Sequence, residues 1–60
     1  MKYFVDFGLD DRKEITRKSA IEYLKGRYTD PTEALAAIET QPLKDRNTLG
    51  IGFGYIEVIH

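Results

Sequence analysis

The chain contains no cysteine, and this absence removes two of the ways in which small proteins are stabilised. Disulfide bonds are excluded, and so is a zinc site built from thiolates. The single histidine, His60, is the last residue of the sequence, so we expect it to fray and no histidine cluster to form. We therefore expect neither a metal nor any other cofactor.

Long apolar runs are also missing from the sequence. None approaches the roughly 20 residues that a membrane-spanning helix requires. Near the start, a single lysine is followed by an apolar stretch that Asp6 interrupts, which is not the pattern of a secretory signal. Because cysteine is absent as well, we expect a cytoplasmic protein without membrane contact.

A chain of 60 residues predicts a single domain over 1–60 with a small core. Such a chain buries only about 60% of its unfolded surface, and its apolar burial roughly balances the entropy of ordering. Good local packing or self-association must supply the remaining stability, and we favour a homodimer.

The charges are unevenly distributed along the sequence, although the net charge is only −1. Residues 11–28 contain six basic and three acidic side chains, whereas the rest of the chain contains three basic and seven acidic ones. We expect an electrically two-sided molecule, and a surface of this kind can steer a partner or a second copy of the chain.

Residues 2–9 predict a β-strand with one buried face, because aromatic and β-branched residues recur at every second position. The face that we expect to be buried carries Tyr3, Val5, Phe7 and Leu9. A polar turn follows at residues 10–12. Residues 13–15 then either return as a short second strand or begin the next helix, and the sequence leaves both readings open.

Residues 16–26 predict a first helix. Thr16 is suited to cap it by accepting a hydrogen bond from a free backbone N–H, with a start at Ser19 as the alternative. Gly26 is placed to end the helix in a left-handed conformation. The apolar stripe at helical spacing comprises Ala20, Ile21 and Leu24.

The segment from Asp30 to Glu33 is the clearest helix start in the sequence. Asp30 is suited to cap the helix, Pro31 fits the first helical position, and Glu33 completes a capping box. The alanine-rich helix that follows directs Leu35 and Ile38 to the core, and Pro42 prevents its continuation.

After a charged connection at residues 44–47, the closing segment predicts one long strand. Its apolar face carries Leu49, Ile51, Phe53 and Tyr55, and its other face carries Gly50, Gly52 and Gly54. About twelve residues exceed the usual strand length of five or six. From Ile56 onward both faces turn apolar, so we expect a bulge near Gly54 or burial on both sides.

These elements together predict an α+β fold, in the order β-(β)-α-α-β. A small antiparallel sheet of two or three strands carries two helices packed on one face. The first and last long strands are expected to be antiparallel neighbours. The sequence shows no linker, internal repeat or low-complexity segment.

The three alternating glycines of the closing segment do not form a phosphate loop. Such loops need a helix N-terminus after the glycines, and here only six residues follow. A glycine-lined strip of sheet instead permits close approach, either by the protein's own helices or by another molecule. The candidate protein-contact residues are Phe4, Gly50, Gly52, Gly54, Ile56 and Val58.

The basic segment supplies an alternative, because cations interleaved with tyrosines can neutralise phosphates and stack on unpaired bases. The candidate nucleic-acid contacts are Lys13, Arg17, Lys18, Lys25, Arg27 and Tyr28. A solvated helix face explains the same residues and fits the acidic pI of about 5.7 better.

No catalytic constellation is evident in the sequence. Asp6, Asp10 and Asp11 lack the spacing of a calcium loop, and no serine or threonine can be matched to a histidine base. The small size and the lack of site chemistry resemble those of accessory proteins of phages and other mobile elements, although no motif carries this resemblance. We expect a non-enzymatic protein that acts by contact with another protein or with a second copy of itself, with nucleic-acid binding as the alternative.

Overall fold

The computed structural model describes residues 1–8, 10–40 and 46–60. Within them the chain forms β1 (Lys2–Asp6), β2 (Arg12–Ile15), α1 (Arg17–Leu24), α2 (Pro31–Glu39), β3 (Arg46–Gly50) and β4 (Tyr55–Ile59). The strands form one antiparallel sheet of four strands in the order β2-β1-β4-β3. The α+β class and the antiparallel pairing of the first and last strands are confirmed, whereas the predicted number of two or three strands is too low.

The first strand ends earlier than the alternation of side chains predicts. β1 stops at Asp6, and Phe7 already lies in the turn with 39% of its surface exposed. A tight reversal follows, in which the Phe7 N–H donates to the Asp11 carbonyl at 3.0 Å and Asp10 adopts a positive φ of 66°. Leu9, predicted to share the buried face, lies outside the described residues. Residues 13–15 belong to β2, which resolves the choice between strand and helix.

Helix α1 begins where its cap predicts and ends differently. The Thr16 hydroxyl accepts a hydrogen bond from the Ser19 backbone N–H at 3.1 Å, so the start at Thr16 is confirmed. The prediction that Gly26 ends the helix in a left-handed conformation is wrong, because the glycines with positive φ in the described part of the chain are Gly8 and Gly52. The helix instead ends at Leu24, and in the turn that follows the Arg27 and Tyr28 N–H groups both donate to the Leu24 carbonyl at 3.0 Å.

Helix α2 follows its sequence signals closely. Asp30 accepts a hydrogen bond from the Glu33 N–H at 3.1 Å, and Pro31 occupies the first helical position. At the other end the Thr40 backbone N–H and the Thr40 hydroxyl both donate to the Ala36 carbonyl, at 3.1 and 3.0 Å. Pro42, Lys44 and Asp45 lie outside the described residues.

The prediction of one long closing strand is wrong, because the chain reverses within it. β3 and β4 form a hairpin in which Leu49 pairs with Ile56, and the Ile51 N–H donates to the Gly54 carbonyl at 2.9 Å. The reversal therefore falls on the two residues Gly52 and Phe53. Arg46 and Asn47, assigned from the sequence to a charged connection, begin β3.

Both helices pack on one face of this sheet, and the core lies between the helices and the sheet. The buried apolar side chains come from both layers: Val5, Ile56 and Val58 from the sheet, and Ala20, Leu24, Leu35 and Ile38 from the helices. The opposite face, which we call the open face, carries Phe4, Asp6, Arg12, Thr48, Tyr55 and Glu57 by the pairing register. Antiparallel sheets commonly leave one face without a covering layer.

Candidate functional site

Three connections of the chain meet at one end of the sheet, which we call the turn end. They are the β1–β2 turn, of which residues 7, 8, 10 and 11 are described, the link between the helices at residues 25–30, and the β3–β4 turn at residues 51–54. Direct contacts join residues within or beside these connections: the Tyr28 hydroxyl donates to the Gly50 carbonyl at 3.0 Å, and the rings of Phe7 and Tyr23 meet edge to face at 6.1 Å. The turn end thus forms one continuous surface.

The most exposed large apolar side chain of the described residues lies at this end. Phe53 is 96% exposed, compared with 43% for Tyr23 and 39% for Phe7. Gly52, with φ of 101°, precedes it in the two-residue turn, and Phe53 does not share this positive φ. A two-residue hairpin with glycine at its first central position and positive φ there alone is a type II′ turn. The backbone conformation therefore directs the Phe53 ring away from the domain.

The backbone around this turn lies close against the neighbouring strand β1. A Cβ atom added to Gly54 would lie 2.1 Å from the Asp6 carbonyl oxygen and 2.9 Å from the Phe7 Cα. Only glycine permits this close approach, because the atoms that it meets belong to the backbone. Asp6 fixes the same junction with its side chain, since Oδ2 accepts from the Tyr55 hydroxyl at 3.0 Å and Oδ1 accepts from the Gly8 N–H at 2.7 Å.

Arg27 supplies a positive charge beside the turn. Its guanidinium would meet a Cβ atom added to Gly52 at 2.4 Å, so it lies directly against the glycine that precedes Phe53. Lys25, on the same connection, forms an exposed ion pair with Glu22 at 3.2 Å. The hairpin tip therefore combines an exposed aromatic ring with an adjacent cation.

The structure separates the six candidate nucleic-acid contacts. Lys25, Arg27 and Tyr28 lie at the turn end, whereas Arg17 and Lys18 lie at the start of α1, on the opposite side of the domain. Lys13 is on β2, where its ammonium lies 4.0 Å from Asp11. The segment that is continuous in sequence thus does not form one continuous cationic face.

Arg17 is engaged in a structural network. Its Nε and Nη2 atoms donate to the two carboxylate oxygens of Glu39 at 2.8 and 3.0 Å, and the Tyr3 hydroxyl also donates to Glu39. The hydrogen bonds from Arg17 lower the pKa of Glu39 below its usual value. Burial, followed by the hydrogen bond to Glu39, raises the pKa of Tyr3. These contacts tie the start of α1 and the end of α2 to the first strand.

The candidate protein-contact residues also fall in different environments. Ile56 and Val58 are fully buried beneath the helices, and Phe4 lies on the open face, so the glycine-lined strip that would unite them does not exist. Gly50, Gly52 and Gly54 belong to the hairpin, where only Gly54 meets the neighbouring strand. Gly52 and Gly54 do not line a contact strip. They instead form part of the turn that carries Phe53, Gly52 through its positive φ and Gly54 through its close approach to β1.

The open face contains a buried carboxylate that the sequence does not reveal. Glu57 is 1% exposed, and the Arg12 guanidinium binds it with Nη2 at 2.7 Å and Nε at 2.8 Å. The same guanidinium lies 3.8 Å from the centre of the Phe4 ring. This arrangement joins β1, β2 and β4 across the open face. Arg12 both pairs with the carboxylate of Glu57 and makes a cation–π contact with Phe4.

No side-chain arrangement among the described residues provides a metal site, since none of them forms a group of three or more histidine, aspartate or glutamate ligands. Asp6 is committed to the hairpin junction, and Asp11 lies near Lys13. His60, expected to fray, instead docks with Nε2 3.1 Å from the Ile38 carbonyl oxygen at the end of α2 and 3.1 Å from Asn47 Nδ2. None of the described helices has the length and apolar character needed to span a membrane.

The exposure of Phe53 was missed because the alternating pattern placed it with Leu49 and Ile51 on a core face. A signal for the turn exists in the sequence: a Gly-X pair between two apolar runs fits a type II′ hairpin. Comparison of the chain with protein-family models, with curated proteins and with solved structures finds no match.

Proposed function

We propose that this protein is a non-enzymatic binding protein that contacts another protein through the tip of the β3–β4 hairpin, with Phe53 as the central contact. The observation that supports this proposal is the 96% exposure of Phe53 on a turn in which Gly52 has a positive φ and Gly54 lies close against β1. An aromatic ring held fully in water leaves a large favourable burial unused.

The close packing of the hairpin against β1 favours binding. A side chain that enters a partner's pocket from a mobile loop loses the conformational freedom of that loop, whereas a preformed turn avoids most of this entropy loss. Buried aromatic residues near the centre of an interface are the residues that most often dominate its affinity. Phe53, projecting from a type II′ turn that is packed against β1, fits this role.

Arg27, which lies against Gly52, adds a positive charge to the same tip. The partner surface that suits this pair is an apolar pocket with acidic groups at its rim, since the ring fills the pocket and the guanidinium binds carboxylates. The dispersion of the basic residues and the engagement of Arg17 by Glu39 weigh against the nucleic-acid alternative.

The test compares proteins that the wild-type chain and two variants capture from the native host. Phe53→Ser removes the exposed ring at the tip, and Lys18→Ser removes an exposed side chain at the start of α1, away from the turn end, as the control. We expect Phe53→Ser to lose a specific protein that wild type and Lys18→Ser both retain. Each capture is repeated with nuclease, so that an association carried by nucleic acid is separated from direct contact.

Because Phe53 makes no buried contact, its replacement should leave the free energy of unfolding within about 0.5 kcal/mol of wild type. Circular dichroism in urea checks this before any capture is interpreted. Capture of the same proteins by wild type and Phe53→Ser would refute the proposed site. Loss of every captured protein on nuclease treatment would favour the nucleic-acid alternative instead.

A further inference from the structure

The two edges of the sheet differ in how they are protected against pairing with another strand. β2 forms one edge and is short, with three charged residues in succession, Arg12, Lys13 and Glu14. Charged side chains and short length are the usual means by which edge strands avoid association. β3 forms the other edge; Arg46 is its first residue and its one charged residue, and none of the four residues from Asn47 to Gly50 is charged.

The hydrogen-bond pattern identifies which backbone groups of β3 face outward. Ile51 is bonded to Gly54 across the turn, so in an antiparallel ladder Leu49 and Asn47 direct their N–H and C=O groups to β4. Thr48, Gly50 and Arg46, which alternate with them, direct theirs away from the sheet. The Tyr28 hydroxyl confirms this direction at one position, because it reaches the Gly50 carbonyl from outside the sheet at 3.0 Å.

The outward groups of Thr48 have no such partner among the described residues. No strand of the described part of the chain lies beyond β3. The Thr48 side chain is exposed and lies on the open face, so it does not obstruct the approach of another strand along the edge. The edge is thus able to extend the sheet by one more antiparallel strand.

We infer that this strand is β3 of a second copy of the chain, paired antiparallel about a two-fold axis at Thr48. The outward groups are arranged symmetrically, with Arg46 two positions before Thr48 and Gly50 two positions after it. Two copies related by the axis therefore place every donor opposite an acceptor without a shift of register, as an isologous interface requires. A carbonyl oxygen has two lone pairs, so Gly50 can accept from the partner copy while keeping the Tyr28 hydrogen bond.

The small size of the domain also favours a second copy of the chain as the partner at the β3 edge. Among the described residues, the buried apolar core comprises seven side chains: Val5, Ala20, Leu24, Leu35, Ile38, Ile56 and Val58. A 60-residue chain buries only about 60% of its unfolded surface, so a domain of this size gains stability by burying more surface in a dimer. Pairing through β3 joins the two sheets into one continuous sheet of eight strands, which places the former edge at its centre. This surface is distinct from the hairpin tip, so both can operate together.

Sedimentation velocity over a concentration series tests the inference with the protein alone. Thr48→Pro removes the outward N–H at the proposed axis without removing a hydrogen bond within the sheet. Glu14→Pro is the matched control, because Glu14 also directs its N–H outward, on the β2 edge. We expect wild type and Glu14→Pro to dimerise with rising concentration, and Thr48→Pro to stay monomeric.

Amide hydrogen exchange supplies a second measurement on the wild-type chain and keeps the test decisive if Thr48→Pro fails to fold. The Thr48 N–H should exchange rapidly at low protein concentration and become at least about tenfold slower as dimer forms, whereas the Glu14 N–H should exchange at one rate throughout. A monomer at every concentration would overturn the inference. So would a dimer that persists unchanged in folded Thr48→Pro, or a Thr48 exchange rate that is independent of concentration.

Discussion

Replacement of Gly54 by alanine should destabilise the domain more than any other single methyl addition in the hairpin. The new Cβ would lie 2.1 Å from the Asp6 carbonyl oxygen, whereas ordinary contact begins at 3.4 Å. The obstructing atoms belong to the backbone of β1 and cannot rotate away as a flexible side chain would. Relief therefore requires β1 and β4 to separate at the point where their pairing begins.

The magnitude follows from two contributions. Overpacking of a tight site costs about 1–3 kcal/mol. Separation of the strands also strains the hydrogen bond from the Tyr55 hydroxyl to Asp6, which contributes about 0.5–1.5 kcal/mol. The expected loss is about 2–4 kcal/mol, against a total stability of roughly 3–9 kcal/mol for a domain of this length. The melting temperature should fall by roughly 10–30 °C.

Thermal and urea unfolding followed by circular dichroism measure this effect, with Gly50→Ala as the control. Gly50 lies in the same hairpin, has no positive φ and would place its Cβ with nothing within 4 Å. Gly50→Ala should stay within about 0.5 kcal/mol of wild type, or gain slightly because the unfolded chain loses freedom. If the two variants melt within about 2 °C of each other, the close approach of Gly54 to β1 cannot be as described.

The remaining predictions concern the ion pairs Arg12–Glu57 and Arg17–Glu39. Arg12→Met should destabilise the domain by about 1–3 kcal/mol at neutral pH, because it removes a partner from the buried Glu57 carboxylate, whereas Lys13→Met should change the free energy of unfolding by less than about 0.5 kcal/mol. Urea titrations of both variants decide this, and equal effects would contradict it. Because Arg17 lowers the pKa of Glu39, the stability that this pair contributes is complete above the unfolded value of 4.5 and is lost as the pH falls through the lower folded value. The difference in unfolding free energy between wild type and Glu39→Gln should therefore shrink as the pH is lowered from about 6 to about 3. A difference that does not change over this range would exclude the assigned role of Glu39.

The parts of the fold that the sequence predicts are those that depend on local chemistry. Thr16 and Asp30 cap their helices because a short polar side chain meets a free N–H only three residues away. The two-residue turn was missed because apolar alternation continues on both sides of it. The turn leaves a signal in the residue numbers of the side chains that face the core. These are odd before the turn, at the partly buried Leu49 and Ile51, and even after it, at the buried Ile56 and Val58, as a two-residue reversal requires.

The candidate site was less accessible to prediction than the fold. The exposure of Phe53 follows from the turn, so an error in the turn placed this ring in the core. The pairing of Arg17 with Glu39 joins residues 22 positions apart, and no local pattern specifies it among ten acidic residues. The burial of Glu57 likewise depends on Arg12 and Phe4 from two other strands. Contacts of this kind exist only after the sheet has assembled.

The pairing of β1 with β4 at the centre of the sheet has a consequence for synthesis on the ribosome. Lys2 pairs with Ile59, so the middle of the sheet cannot close until nearly all of the segment described by this fold has emerged. Before then β1 and β2 form only an isolated hairpin, which is marginal in water, and the helices have no sheet to cover. Closure of such a long loop slows folding, and a nascent chain that stops before Tyr55 exposes its apolar side chains to chaperones and proteases.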